Sequence, residues 1–409
     1  MAYLFILLLD HMPGAWAQSV SGGLLQGYYY TELGMRITAV AIACFVVGAF
    51  LVTGRRRADP APAPAERSSF ALFCLVGGWV FTFALSFLNS VSSFGAAAHE
   101  AGAIWMLGVM IGLREALKRK VPTVVAFWVG ALAVYPTVML VHGGYLVHGS
   151  VVAIPVISSL AITTRRFWRL ALSAVVLLVV GLSAFVTYFE GRPEIRGSVW
   201  GGGSLHERVS TIADVAGRAH IIDPGRLDDL SALNTRLNQS YFIGIAADRL
   251  DGGVSEYLHG RSLWEGVESV VPRAMWSNKQ VVAGSGTLVA DATGLDLDTG
   301  TSWAVGNVME LYINFGWAGI VVGFVVLGFI IASLDRRAAL AERRGDFGGA
   351  LLFFLPCVAF TRPDLSAVDI ASGAAAALIA ALVWRMAWLY WVGRRRAVRP
   401  APVRAVETS

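Results

Sequence analysis

The sequence predicts an all-α, polytopic membrane protein with about nine full transmembrane helices, a short N-terminal apolar segment and one large, helical extracytoplasmic loop. Three observations carry that expectation. Hydrophobic residues make up 56% of the 409 positions and charged residues only 15%, a balance unlike that of a soluble chain of this size. The apolar residues gather into runs near the length that crosses a hydrocarbon core, and mean hydropathy is +0.61. Lys and Arg collect between the runs, at Arg55–Arg57, Arg114 with Lys118–Lys120, Arg165 with Arg166 and Arg169, Arg336, Arg337, Arg343 and Arg344, and Arg394–Arg396. Threading the runs alternately puts every cluster on one side, which marks that side as cytoplasmic.

Taken in order, the opening run Met1–Leu9 is too short to cross. It has neither a basic n-region nor a small-residue cleavage pattern, so it is not expected to be a signal peptide. It is either a short apolar segment or the tail of a tenth helix with a mis-assigned start. Full spans are expected at 35–54, 70–89, 95–114, 121–140, 145–163 and 168–188, then at 311–334, 347–361 and 368–392. The chain therefore divides into N-terminal transmembrane helices (1–188), the large loop (189–304), C-terminal transmembrane helices (305–392) and a basic cytoplasmic tail (393–409). Residues 55–69 form a cytoplasmic linker whose core, Asp59 to Glu66, is rich in Pro and Ala and reads as an extended spacer.

The loop differs from everything around it. Residues 190–303 hold 15 of the 28 acidic residues and 10 basic ones, so this segment has the composition to fold in water. Leu230, Leu233, Leu237, Tyr241 and Ile245 recur at helical spacing, with Asp228 and Asp229 placed to favour a helix start. Leu205–His220 has weaker amphipathic character. Gly201 to Gly203, Gly252-Gly253 and the stretch from Gly284 to Gly300 read as turns. Ser302–Phe315 reads as a helix that runs straight into the next span.

Several chemistries are disfavoured. Cys44, Cys74 and Cys357 all fall in apolar runs and suggest neither a disulfide framework nor a thiolate metal site. There is no phosphate-binding Gly-x-x-x-x-Gly-Lys motif and no His-Glu-x-x-His spacing, so no cofactor or metal is expected. The basic clusters follow membrane topology and are not interleaved with aromatics, so no nucleic-acid partner is expected.

Cationic candidates concentrate in the loop: Arg236, Arg249, Arg261, Arg273 and Lys279, with Trp264 and Trp276 among them. Guanidinium groups bind phosphate oxygens through paired, charge-assisted hydrogen bonds. Aromatic rings favour the membrane–water interface and also suit sugars. Glu310 lies at the entrance of the seventh span, where a carboxylate is costly unless paired or catalytic. His99 with Glu100, His142, His148, His206 and Arg362 are further polar candidates, each of which also reads as an ordinary structural or surface group.

One stretch is more specific. It contains Arg236 within Thr-Arg-Leu-Asn-Gln-Ser, then Glu256-Tyr-Leu-His-Gly-Arg-Ser262, Val270-Val-Pro-Arg-Ala-Met-Trp-Ser-Asn-Lys279, and Gly306-Asn-Val-Met-Glu-Leu-Tyr-Ile-Asn-Phe-Gly-Trp-Ala-Gly319. This resembles the oligosaccharide repeat-unit polymerases of the Wzy type, the O-antigen and exopolysaccharide polymerases. Pro272, Arg273, Trp276 and Lys279 match that family's pattern, as do Glu310, Tyr312, Asn314, Phe315 and Gly316. Ser277 and Gln280 stand where the pattern commonly has proline. The resemblance implies polymerisation of undecaprenyl-diphosphate-linked repeat units by metal-independent glycosyl transfer on the outer face of the bacterial cytoplasmic membrane. It implies Glu310 as base and Arg273 as the principal catalytic cation. Arg236, Lys279, Trp276, Arg249, Arg261 and Tyr312 would contact substrate. Expected partners are the lipid-linked oligosaccharide, membrane lipid, a chain-length regulator and a flippase. An O-antigen ligase-like transferase and a non-enzymatic transporter of lipid-linked sugars are the alternatives.

Overall fold

A computed structural model of the chain describes residues 2–52, 64–81, 102–144, 146, 156, 167–271, 276, 284–297 and 305–398. Among these residues the protein is helical, with no strand. The helices are α1 (Ala2–Val20), α2 (Tyr28–Phe50), α3 (Pro64–Trp79), α4 (Ile104–Arg119), α5 (Pro122–Gly143) and α6 (Phe167–Trp200). The polar segment supplies α7 (Leu205–Gly217), α8 (Leu227–Arg236), α9 (Gln239–Asp251), α10 (Arg261–Ser269) and α11 (Gly284–Thr293). The chain closes with α12 (Gly306–Arg343), α13 (Phe347–Phe360) and α14 (Ala367–Val398).

Five of these helices, α2, α5, α6, α12 and α14, are long and apolar enough to cross a membrane. The structure thus supports a helical membrane protein. The expected spans at 70–89, 95–114 and 145–163 run into residues outside the described set. The expected span at 347–361 emerges as the 14-residue helix α13, which is about 21 Å long and shorter than the hydrocarbon core. Asp346 fixes its start, accepting a 2.8 Å hydrogen bond from the Gly349 backbone, and Pro363 lies just beyond its end.

Two apolar clusters organise the fold. One joins α3, α4, α5, α13 and α14 around Phe70, Trp105, Trp128, Phe347, Leu351 and Trp388. The other joins α1, α2, α9, α11 and α12 around Tyr3, Ile37, Phe45, Ile243, Met309 and Phe324. In the second cluster α2 is flanked by α9 and α12, and glycines allow the approach. Gly34 lies against the Ser240 carbonyl and Gly244 against the Tyr30 carbonyl, while Gly48 meets Val325 and Gly328 meets Phe45. Because the obstructing atoms are backbone, Gly34→Ala or Gly244→Ala is expected to destabilise the protein by about 1–3 kcal/mol. Thermal unfolding in detergent measures this, and an unchanged midpoint would contradict it.

The chain departs from its sequence-based reading in four places. The first apolar run is not a nine-residue fragment: α1 continues to Val20 and packs on α8 through Ala17, Leu230 and Leu233. Helix α6 runs twelve residues past position 188, through Gly191 and Pro193, and stops at the turn Gly201-Gly-Gly203. The pattern from Leu230 to Ile245 is two helices, broken at Leu237 and Asn238, where Asn238 Nδ2 bonds Thr31 Oγ1 at 3.0 Å and Gly14 packs against the break. The stretch from Gly284, expected to turn, forms α11; Val289 is buried in the second cluster, so tertiary burial overrides weak local propensity.

Candidate functional site

The helix carrying Glu310 does not run straight into the membrane. At Gly316 the backbone leaves helical geometry (φ 59°, ψ −141°), a conformation that costs any residue with a Cβ. Leu311 then lies against Gly319 and Gly323, so residues 306–315 fold back beside the first turns of the span. Two backbone amides meet carbonyls exposed by the break: Leu258 N donates to Ile313 O at 2.9 Å and His259 N to Asn314 O at 3.2 Å. At the other end, Asn307 N donates to Pro363 O at 2.8 Å, Asn307 Nδ2 to Leu365 O at 2.9 Å, and Tyr3 Oη to Asn307 Oδ1 at 3.0 Å. This short helix is therefore fixed by α1, by the turn before α14 and by the segment before α10.

Glu310 is buried, with only 1% of its surface exposed. Its Oε2 accepts a 2.6 Å hydrogen bond from the Ala367 backbone at the first turn of α14. That places the carboxylate at the N-terminus of a helix. Its Oε1 has no hydrogen-bond partner among the described residues. Asn314 organises the surroundings: Nδ2 donates to the Glu310 carbonyl and to Ser262 Oγ, both at 2.7 Å, and Oδ1 accepts from Gly260 N at 2.9 Å. Gly266 of α10 rests against Ala367, which brings Ser262 and Glu265 to the same junction. Chemically, this is a buried carboxylate held by the Ala367 amide on one side, with Ser262 of α10 beside it.

The other expected site residues divide. Tyr312 joins the same short helix; its hydroxyl donates to Asp251, 3.1 Å from Oδ2, and Tyr257 donates to Asp251 Oδ1 at 3.2 Å. Burial and the Asp251 carboxylate push the Tyr257 hydroxyl's pKa upward, so it stays a donor at neutral pH. Arg261 opens α10 beside the Asn314 network but turns to Glu265, 3.2 Å away, and is exposed. Arg249 lies on α9 with its guanidinium against Gly294. Trp276 is 44% exposed. Arg273, Lys279, His99, Glu100 and His148 lie outside the described residues. Arg362 pairs with Asp364 through contacts of 3.2 and 2.6 Å. Arg236 stands apart from Glu310, at the end of α8 against α6.

The structure also assembles groups that sequence spacing hid. Asp10 and His11 face a cavity of about 10 Å³, room for about one water, lined also by Met309, Gly306 and Asp364. His11 Nδ1 lies 2.8 Å from Ser240 Oγ. A polar pair inside an apolar run was the signal for it. Glu190, His220 and Asp229 bring one ligand atom each within 4.8 Å of one another, a set with metal-binding chemistry. Arg226 reaches into the same set, 3.3 Å from Glu190 and 3.6 Å from Asp229, and supplies the positive charge there. Nothing in the local sequence links residues so far apart. No protein-family model, curated protein or solved structure matches this chain.

Proposed function

We propose that this chain polymerises lipid-diphosphate-linked oligosaccharide repeat units by glycosyl transfer at the extracytoplasmic face of a bacterial cytoplasmic membrane. The observation that carries the proposal is the buried Glu310 carboxylate, with Oε2 engaged by a backbone amide. It lies on a short helix that folds back at the junction of the apolar bundle and the polar segment. In this reading Oε1 takes the proton from an acceptor sugar hydroxyl as that oxygen attacks the donor's anomeric carbon. The bond from that carbon to the diphosphate oxygen breaks, and the electron pair leaves with the lipid diphosphate. Arg273 and Lys279 stabilise the charge growing on the leaving group. Trp276 and Arg261 face substrate from the segment above the bundle. The resemblance of residues 236–319 to the repeat-unit polymerases supplies the substrate class.

A transporter needs charge along its path through the bilayer. Residues 37–50 of α2, 122–143 of α5, 170–187 of α6 and 317–334 of α12 contain no Asp, Glu, Lys or Arg, which disfavours that alternative. Deleting the gene in its source bacterium separates the remaining two readings. A polymerase predicts loss of long surface glycan with single repeat units still attached; loss of attachment itself would replace it with the ligase-like reading.

The proposal also fixes the side on which the polar segment stands. Val254 is 66% exposed, so Val254→Cys in a chain lacking Cys44, Cys74 and Cys357 is expected to react with a membrane-impermeant maleimide in intact cells. Reaction only after lysis would put the segment in the cytoplasm and end the proposal.

A further inference from the structure

We infer that α10 is an interfacial helix whose face of Trp264, Val267 and Val270 sits in lipid at the mouth of the bundle. This role is independent of glycosyl transfer. The nine residues of α10, with Val270 capping them, sort into three faces at helical spacing. Ser262, Gly266 and Ser269 form the packed face. Asn314 Nδ2 donates to Ser262 Oγ at 2.7 Å, Gly266 rests against Ala367, and Ser269 Oγ donates to Val368 O at 3.1 Å. Arg261, Glu265 and Glu268 form the polar face, where Arg261 pairs with Glu265 at 3.2 Å. Trp264, Val267 and Val270 form the third and are 64, 58 and 47% exposed.

This is the reverse of a helix folded for water. Its small residues face the protein and its large apolar ones face outward. The Trp264 indole is divided in the same way: Nε1 donates to Glu268 Oε1 at 2.8 Å, on the polar side, while the ring stays exposed. Location selects the occupant. Ala367 and Val368 open α14, one of the helices long and apolar enough to cross a membrane. Gly260, at the start of α10, lies against the Phe315 ring, and Phe315 and Trp317 are exposed on α12, another such helix. The exposed face of α10 thus adjoins the apolar surface of one span and the first turn of a second, at the level where aromatic side chains favour the boundary between lipid and water. A short helix with Trp and Val on one face and charges on another suits a bilayer surface. A stable protein partner needs roughly 20–30 residues on each side, and this face offers three side chains. Lipid therefore bears on the same helix that places Ser262 beside Glu310.

The test uses the full chain lacking Cys44, Cys74 and Cys357, in vesicles of phosphatidylethanolamine and phosphatidylglycerol. A nitroxide is attached at Val267→Cys, Val270→Cys or Glu268→Cys. Its collisions are measured with oxygen, which concentrates in lipid, and with a nickel chelate confined to water. Labels at Val267 and Val270 are expected to meet oxygen more often than nickel, with an oxygen-to-nickel ratio several times that at Glu268. Two positions on the apolar face keep the test decisive if one label disturbs folding, which the unfolding midpoint reveals. Nickel collisions at Val267 and Val270 as frequent as at Glu268 put the face in water and overturn the inference. Exclusion of both reagents from the face also overturns it, in favour of a protein partner. Because no sugar is transferred, these outcomes leave the role of Glu310 to its own test.

Discussion

Glu310→Gln is expected to slow glycosyl transfer by about 10²–10⁴-fold, the range a positioned acid or base contributes, while donor binding changes little. Glutamine has the same shape, and its carbonyl oxygen still accepts from the Ala367 amide, so the junction of α12 and α14 persists. What it cannot do is take the acceptor's proton. The competing account is that Glu310 serves only to bind the first turn of α14. On that account Glu310→Gln is nearly silent, and Glu310→Ala lowers stability by leaving the Ala367 amide without its carboxylate. Single-turnover rates and donor affinity, measured side by side for the two variants, separate the accounts. An unchanged rate for Glu310→Gln excludes it as the base.

The second large effect is expected at a residue that touches no substrate. Gly316 carries φ 59° and ψ −141°, and a Cβ there would stand 3.2 Å from the Tyr257 hydroxyl. Alanine in this conformation is strained by about 1–3 kcal/mol, and the backbone relieves that strain by moving toward a continuous helix. Residues 306–315 would then swing away from Gly319 and Gly323, carrying Glu310 off the Ala367 amide. A misplacement of about 1 Å is enough to cost about 100-fold in rate, so Gly316→Ala is expected to lose at least that much while still inserting into the membrane. A variant that retains full activity would show that the break does not position the carboxylate.

How much of this could be read from the chain follows from what each feature depends on. Apolar runs and arginine clusters are local in sequence, and they led to a helical membrane protein with a polar segment between two groups of helices. Glu310 drew attention as a carboxylate at the mouth of an apolar run, whereas Tyr312 and Asn314 came only from the resemblance. The break at Gly316 was not legible. Gly316-Trp-Ala-Gly319 fits a transmembrane helix, where small residues are ordinary, and the fold-back depends on Leu258 and His259 meeting the freed carbonyls. The split between α8 and α9 was hidden in the same way, because apolar spacing carries across it while Gly14 and Thr31, far away in sequence, hold it open.

One physical account connects these features. A glycine break turns a short helix back against the membrane span. The turned helix buries a carboxylate at the start of α14, and α10 closes over it through Asn314 and Ser262. The measurement that tests this account most directly is glycan synthesis by the purified chain alone, supplied with prenyl-diphosphate-linked repeat units and no metal. The account predicts a ladder of products that lengthens with time and is lost with Glu310→Gln. Absence of a ladder from folded protein with donor bound, or a ladder undiminished by Glu310→Gln, would contradict it.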